Sequence, residues 1–282
     1  MTDIDIDHLN QWIGRTETRT DVVTASLIER YRATIFDHLW PTGDAAPMGL
    51  HWCLAPIAIA GNELGHDGHP QKGGFLPPIP LPSRMWAGGE VRFHSPLMEG
   101  DSVNRNSRIV SITQKTGSSG PLVFVAVEHE YSVGDRVAIS ERQDLVYKHS
   151  APKNTGSSAE NKKPPTVPDA IFMDEVTLFR YSALTFNGHR IHYDRDYARF
   201  EEGYPGLVVH GPLQATLLMN HAAHLCEGIP ARFSYRGVSP LFDHTPFQLK
   251  AAESTDGSPD NGKVWCEDLR GKTTMQANYS KA

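Results

Sequence analysis

The sequence predicts an α+β protein built as two similar halves, each a helix followed by an antiparallel meander. Three observations lead there. First, His149–Pro168 (HSAPKNTGSSAENKKPPTVP) is almost free of large apolar residues and rich in Ser, Asn, Lys and Pro, the composition of a solvated linker. It separates an N-terminal half, 1–148, from a C-terminal half, 169–282. Second, each half carries several runs rich in β-branched residues, bounded by Gly or Pro. Third, the segment from Pro212 to about Glu227 is apolar nearly all round, so it must be wrapped on most sides. A curved antiparallel sheet around one central helix is the hot-dog architecture. Two such units on one chain make a double hot-dog.

In the first half, Ser26 and Glu29 have capping-box spacing, and Leu27, Tyr31, Ile35 and Leu39 recur every four residues until Pro41. They predict an amphipathic helix. Met48–Ala60 reads as a short buried helix. Gly61–Ser83 (GNELGHDGHPQKGGFLPPIPLPS) is too stiff and too short of donors for sheet, and is expected to be a long ordered loop. Strands are predicted at Glu90–His94, Asp101–Thr113, Leu122–Tyr131 and Arg136–Tyr147, with turn signals between them.

The second half repeats that order. Phe172–Ala183 reads as strand, followed by a polar, His-rich loop and a short helix around Asp196–Glu202. The apolar helix then runs from Pro212 to its stop at Gly228. Strands are predicted at Arg232–Phe242, Phe247–Ala252, Lys263–Leu269 and Thr273–Tyr279. In the last, Met275, Ala277 and Tyr279 alternate with Thr274, Gln276 and Asn278, the pattern of a half-buried antiparallel strand.

Composition narrows the function. The chain has 282 residues, and 27 Lys+Arg stand against 33 Asp+Glu, a net charge of −6. That balance argues against broad binding to nucleic acid, which needs a basic surface. No stretch has the ~20 continuous apolar residues of a spanning helix, and MTDIDIDHLNQW has no secretory-signal pattern. Cys53, Cys226 and Cys266 are odd in number and widely spaced, which fits no disulfide framework or zinc site. The expected setting is reducing and cytoplasmic, without a membrane or nucleic-acid partner.

Histidine is the unusual residue, with 14 copies. One cluster is SALTFNGHRIHYD, Ser182–Asp194, with His189 and His192 three apart beside Asn187 and Asp194. Histidine titrates near neutrality, so this loop offers acid/base groups. The other cluster, VVHGPL (Val208–Leu213), contains His210 and opens the buried helix. Gly211 there has no side chain to block approach, and the N–H groups of a helix start are free to meet a carbonyl oxygen. An acid/base loop followed by an exposed helix start is what enolate chemistry on a thioester needs. His221, His224 and Cys226 lie inside the apolar helix with no further ligands, so packing is the better reading, and no metal is expected. His66–His69 (HDGH) reads as loop structure.

RYSALTFNGHRIHYD (Arg180–Asp194) followed by GLVVHGPLQATLL (Gly206–Leu218) resembles the MaoC-like, hydratase-type double hot-dog enzymes. Within them it resembles the branch of mesaconyl-C4-CoA (itaconyl-CoA) hydratases and 3-hydroxyacyl-thioester dehydratases. Gly74–Asp101 and Lys115–Tyr131 resemble the N-terminal half of the same branch. The resemblance implies a hydro-lyase that adds water to an enoyl-CoA thioester, with no cofactor. Itaconyl-CoA or mesaconyl-C4-CoA, giving citramalyl-CoA, is the favoured substrate. The alternatives are a 3-hydroxyacyl-ACP/CoA dehydratase of fatty-acid synthesis, and a hot-dog thioesterase or acyl-CoA binding module.

By the same resemblance His192 matches the catalytic histidine and Gly211 the N–H that polarises the thioester. Asn187 stands where the motif has aspartate, and His189 where it has asparagine. Catalysis is therefore expected of Asn187, His192 and Gly211, with His189, Asp194 and His210 as secondary candidates. Arg84, Arg180 and Arg190 are candidates to bind the substrate's free carboxylate, Arg84 first. The N-terminal half is expected to shape the acyl pocket without doing chemistry. Homodimer formation is compatible with this reading.

Overall fold

The computed structural model describes residues 4–117, 120–149, 168–252 and 258–281. The linker expected at 149–168 lies, except for its two end residues, outside the described residues. Two antiparallel meanders merge into one nine-stranded sheet. The first contributes β1 (Thr16–Val22), β2 (Ser83–Phe93), β3 (Ser102–Gly117), β4 (Gly120–Val133) and β5 (Arg136–Lys148). The second contributes β6 (Arg232–Gly237), β7 (Phe247–Ala252), β8 (Asn261–Asp268) and β9 (Thr273–Ser280). The order is β1-β3-β4-β5-β2-β6-β9-β8-β7. The halves join where β2 pairs β6, from Gly88↔Arg236 to Arg92↔Arg232. This is the double hot-dog, with the two sheets continuous across that seam.

Among the described residues four α-helices accompany the sheet: α1 (Ile6–Asn10), α2 (Ala25–Ile35), α3 (Glu175–Thr185) and α4 (Gly211–Leu225). The predicted apolar helix is α4, with ten buried side chains along one run from Leu213 to Ala223, packed against β6, β7, β8, β9 and β2. Its counterpart in the first half is only one 3₁₀ turn, Leu50–Cys53, where a longer buried helix was expected over Met48–Ala60. Gly49 enters that turn at φ 87° and Ala55 leaves it at φ 51°, with Pro56 next, so the chain has no room to extend it. The strands of this half, β1, β3, β4 and β5, line the cavity described below.

One predicted element changes identity and another changes its ends. Phe172–Ala183 is not a strand: Glu175–Thr185 forms α3, capped by the Asp174 carboxylate, which accepts from the Thr177 N–H at 2.8 Å. Its buried positions, Leu178, Tyr181 and Ser182, fall at helical spacing. Likewise, α2 is capped by Thr24, whose hydroxyl accepts from the Leu27 N–H, and not by a Ser26–Glu29 box. It ends at Ile35, before the expected stop at Pro41, because Phe36 turns to φ 56°. α2 and α3 pack against each other, so the helix-then-meander order does repeat. β1 was not predicted; it is a polar edge strand whose alternate residues face inward. The strand predicted at Arg232–Phe242 stops at Gly237.

Candidate active site

The His-rich loop begins where α3 ends at Phe186, in the left-handed region at φ 51°. Asn187 then folds back on the chain: its side-chain Oδ1 accepts from the His189 N–H at 3.0 Å. A single turn, Arg190–His192, follows. Outside, Arg190 pins this turn. Its guanidinium pairs with Asp194 at 2.7 Å, lies 4.3 Å over the Tyr197 ring, and donates to the His66 carbonyl at 3.2 Å. Inside, His189 and His192 are buried.

His192 has a defined tautomer. Its Nδ1 lies 2.7 Å from the Val208 carbonyl oxygen, which can only accept. Nδ1 therefore carries the proton and Nε2 keeps its lone pair. The ring lies flat on that of His210, centroids 3.6 Å apart and planes 17° apart. His210 Nε2 is 2.8 Å from the Ser182 hydroxyl, while its Nδ1 has no partner. Burial lowers the His192 pKa to about 4 and holds that of His210 well below the ordinary imidazole range. Both rings are neutral at pH 7, so His192 presents a bare base.

Gly211 starts α4, and its N–H meets no acceptor among the described residues. A Cβ at this position would come within 2.8 Å of the Trp86 ring, so only glycine keeps the helix start open beside that indole. Trp86 stacks on Tyr235 at 4.4 Å, and Trp52 meets it edge-on at 5.5 Å. Trp86 and Trp52 form one wall of a cavity of about 1390 Å³ lined by both halves, with Tyr235 packed behind Trp86. His192, His189, Asn187 and Gly211 all face it. The N–H and the base thus open onto one space, at the positive end of α4.

Arg84, the first-ranked arginine of the sequence, also lines the cavity. Beside it are Tyr147, whose buried hydroxyl finds no acceptor or donor in good geometry, and Lys72, whose ammonium lies 5.8 Å over the Tyr147 ring. Burial raises the Tyr147 pKa and the Arg84 charge opposes it, which marks the two as close neighbours. Arg180 is exposed, and Arg180, Arg190, Asp194 and His210 do not line the cavity. His224 packs edge-on against Trp40, as expected of a packing residue.

The sequence reading missed one contribution. His66–His69 was expected to be loop structure, yet it docks onto the His-rich loop from the other half. Gly188, given a Cβ, would approach the Gly68 carbonyl oxygen to 2.7 Å, and a Cβ on Gly68 (φ 85°) would collide with the Gly188 carbonyl. Two glycines are needed for the backbones to touch. The Arg190 N–H donates to the Asp67 carbonyl at 2.9 Å. As a result the His69 ring faces that of His189, centroids 4.1 Å apart, and Asp67 Oδ2 lies 3.0 Å from His69 Nδ1. Burial would raise the Asp67 pKa, but the bonds from His69 outweigh it and hold the carboxylate well below its usual range. The only signal in the sequence was the Gly-flanked spacing of HDGH.

This double hot-dog, with a neutral imidazole and a helix-start N–H on one cavity, is what the resemblance to the hydratase-type hot-dog proteins implies. Residues 49–243 match the family model described as Htd2, hydroxyacyl-thioester dehydratase type 2, and the chain belongs to that family. It is 46% identical over 252 residues to the mesaconyl-C(4)-CoA hydratase of Chloroflexus aurantiacus, covering 87% of this chain and 89% of that protein. It is 25% identical over 280 residues to the mitochondrial hydroxyacyl-thioester dehydratase type 2 of Schizosaccharomyces pombe, covering 88% and 91%. Among solved structures, HtdX of Mycobacterium tuberculosis shares the fold with a TM-score of 0.67 at 18% identity, over 94% of this chain and 99% of that one.

Proposed function

We propose that this chain is a hydro-lyase that adds water reversibly to the C4-thioester of an unsaturated C5 dicarboxylic acid, mesaconyl-C4-CoA, giving citramalyl-CoA. The observation that carries the reading is the bare Nε2 of His192 and the unpaired Gly211 N–H opening onto one cavity. The 46% identity to the Chloroflexus hydratase supports the substrate.

In this reading the thioester carbonyl lies at the Gly211 N–H, where the start of α4 stabilises negative oxygen. His192, with Asn187 and His189 beside it, holds and orients the attacking water. As the water oxygen bonds to the β-carbon, one proton passes to an imidazole of this cluster and the π pair moves onto the thioester oxygen. The enolate collapses when that proton returns to the α-carbon. Itaconyl-CoA, whose double bond is not conjugated with the thioester, draws less from this arrangement.

The free carboxylate sits on the β-carbon of mesaconyl-C4-CoA and needs a partner where water is excluded. Arg84 supplies it together with the unpartnered Tyr147 hydroxyl on the cavity wall, while Lys72, whose ammonium already donates to the Ile79 and Leu81 carbonyls, adds positive charge beside them. The division of labour follows the two halves, 1–148 for the pocket and 169–282 for the hydratase motif. Three buried, unpaired cysteines favour a reducing compartment, the cytoplasm.

A long-chain 3-hydroxyacyl dehydratase is the second reading, and the family description favours it. Against it stands the far wall of the cavity, where Arg19, Arg105, Ser107, His129 and Gln143 form a polar band across β1, β3, β4 and β5. An unbranched acyl tail there would strand these groups without water. The test is a panel of enoyl-CoA thioesters followed by loss of enoyl absorbance, with thiol release read in parallel. Absorbance loss without thiol release supports a hydratase; thiol release alone gives the site to a thioesterase.

A further inference from the structure

The base at this site has to hold a positive charge while the enolate exists, and the catalytic loop offers no carboxylate for that purpose. Asp194 turns outward onto Arg190. Asn187 is an amide, and its Oδ1 already accepts from the His189 N–H. His192 leans on a carbonyl, which orients an imidazole but carries no charge to balance an imidazolium.

The other half brings what is missing. Asp67 grips His69 at two points, Oδ1 on its backbone N–H at 3.0 Å and Oδ2 on its ring Nδ1 at 3.0 Å. An ionised carboxylate accepts, so Nδ1 carries the proton and Nε2 is bare. His69 lines the cavity and its ring packs 4.1 Å from that of His189. Polar atoms of Asp67, His69 and His189 all lie within 4.8 Å of one another. Two hydrogen bonds of about 2.8 Å span up to about 5.6 Å, enough for one water between His69 and His189, and the His192 ring stands next to that space, its centroid 5.5 Å from that of His189.

We propose that His69, held by Asp67, is a base in the water addition, so that the N-terminal half contributes to the chemistry as well as to the pocket. The proposal rests on the hydration reading above. Nε2 of His69 takes one proton of the water as its oxygen bonds to the β-carbon, and the π pair moves onto the thioester oxygen at Gly211. The imidazolium then returns that proton to the α-carbon, leaving His69 neutral. His192 holds the water's other hydrogen. Asp67 is a positioning residue: it fixes the His69 tautomer and balances its charge, as a carboxylate does behind other imidazole bases.

The test compares wild type with Asp67→Asn, His69→Gln and the double variant Asp67→Asn/Asn187→Asp, assayed with mesaconyl-C4-CoA. Asn187 lines the same cavity next to His189, so an aspartate there returns a carboxylate to the imidazole cluster. Each single variant should lose at least about 10²-fold in kcat with KM within about threefold and an unchanged melting temperature. The double variant should recover at least about tenfold over Asp67→Asn. A single variant with kcat within about threefold of wild type overturns the proposal. So does a loss that Asn187→Asp fails to rescue, which assigns Asp67 to structure, or a stoichiometric metal whose removal abolishes activity. A wild-type enzyme that hydrates no enoyl thioester brings down the hydration reading and the catalytic role of His69 together. The pairing itself is read separately, without substrate, from the ¹⁵N shifts of His69: an Nδ1-protonated tautomer in wild type that Asp67→Asn loses.

Discussion

Nδ1 of His192 lies 2.7 Å from the carbonyl oxygen of Val208, the residue that leads into the start of α4. One hydrogen bond thus ties the His192 ring of the His-rich loop to the segment that places the Gly211 N–H. The Val208 N–H in turn donates to the Ile191 carbonyl at 3.0 Å. The two groups proposed as base and oxyanion donor are held by the same pair of contacts.

His192→Ala removes the imidazole proposed to hold and orient the attacking water. The expected loss in kcat is at least about 10²-fold, the usual contribution of a positioned acid/base group. Circular dichroism should be unchanged. Near-normal turnover in a folded variant removes His192 from the mechanism.

Asn187 works through its Oδ1, which accepts from the His189 N–H. Alanine loses that bond and loosens the loop, whereas aspartate keeps an acceptor at the same place. Asn187→Asp should therefore retain more activity than Asn187→Ala, with a shifted pH profile. Equal, wild-type rates in both variants put the water elsewhere.

Gly211→Val places a side chain where the Trp86 ring and the thioester carbonyl must both approach. The loss should fall on kcat/KM by at least about 10²-fold. Normal kinetics make this helix start structural only.

Acid should destabilise the fold. Burial lowers the pKa of His51 and His129 to about 3, and that of His192 to about 4; burial and then Arg84 lower His69 to about 4. Depressed values mean that the unfolded chain binds these protons first. The stability is present above about pH 6.5 and is lost as pH falls towards 4. Glu141 acts in the opposite sense: burial, against bonds from Trp52, Gln143 and Tyr235, raises it to about 7, so its term is full below about pH 4.5 and fades as pH rises through 7. The four histidines outweigh it. Melting temperature should drop from pH 6.5 to 4, and more steeply in Glu141→Gln, where the opposing term is gone. A melting temperature that rises on acidification contradicts this balance.

Much of the architecture was legible because it rests on local pattern. The long strands carry β-branched residues between Gly turns, and α4 announces itself by being apolar on every face. α3 was misread because Val176, Thr177, Phe179 and Tyr181 look like strand, while the Asp174 cap and the three-to-four spacing of Leu178, Tyr181 and Ser182 were the better signals. β1 was invisible, since a polar edge strand of Thr, Glu, Arg and Asp has no apolar alternation to show. His192 and Gly211 were readable from motif spacing. The approach of Asp67 and His69 was not, because it depends on two glycines 120 positions apart whose backbones meet only in the fold.

The central claim is that a carboxylate-bearing enoyl thioester is hydrated here, with Arg84 as the carboxylate's partner. The most direct measurement is the ratio of kcat/KM for mesaconyl-C4-CoA to that for crotonyl-CoA, read by loss of enoyl absorbance in wild type and in Arg84→Met. The account predicts a ratio of at least about 10² in wild type, since leaving a buried charge without its partner costs several kcal/mol, and a ratio at least about tenfold smaller in Arg84→Met. A wild-type enzyme that prefers crotonyl-CoA or longer unbranched enoyl chains would contradict it.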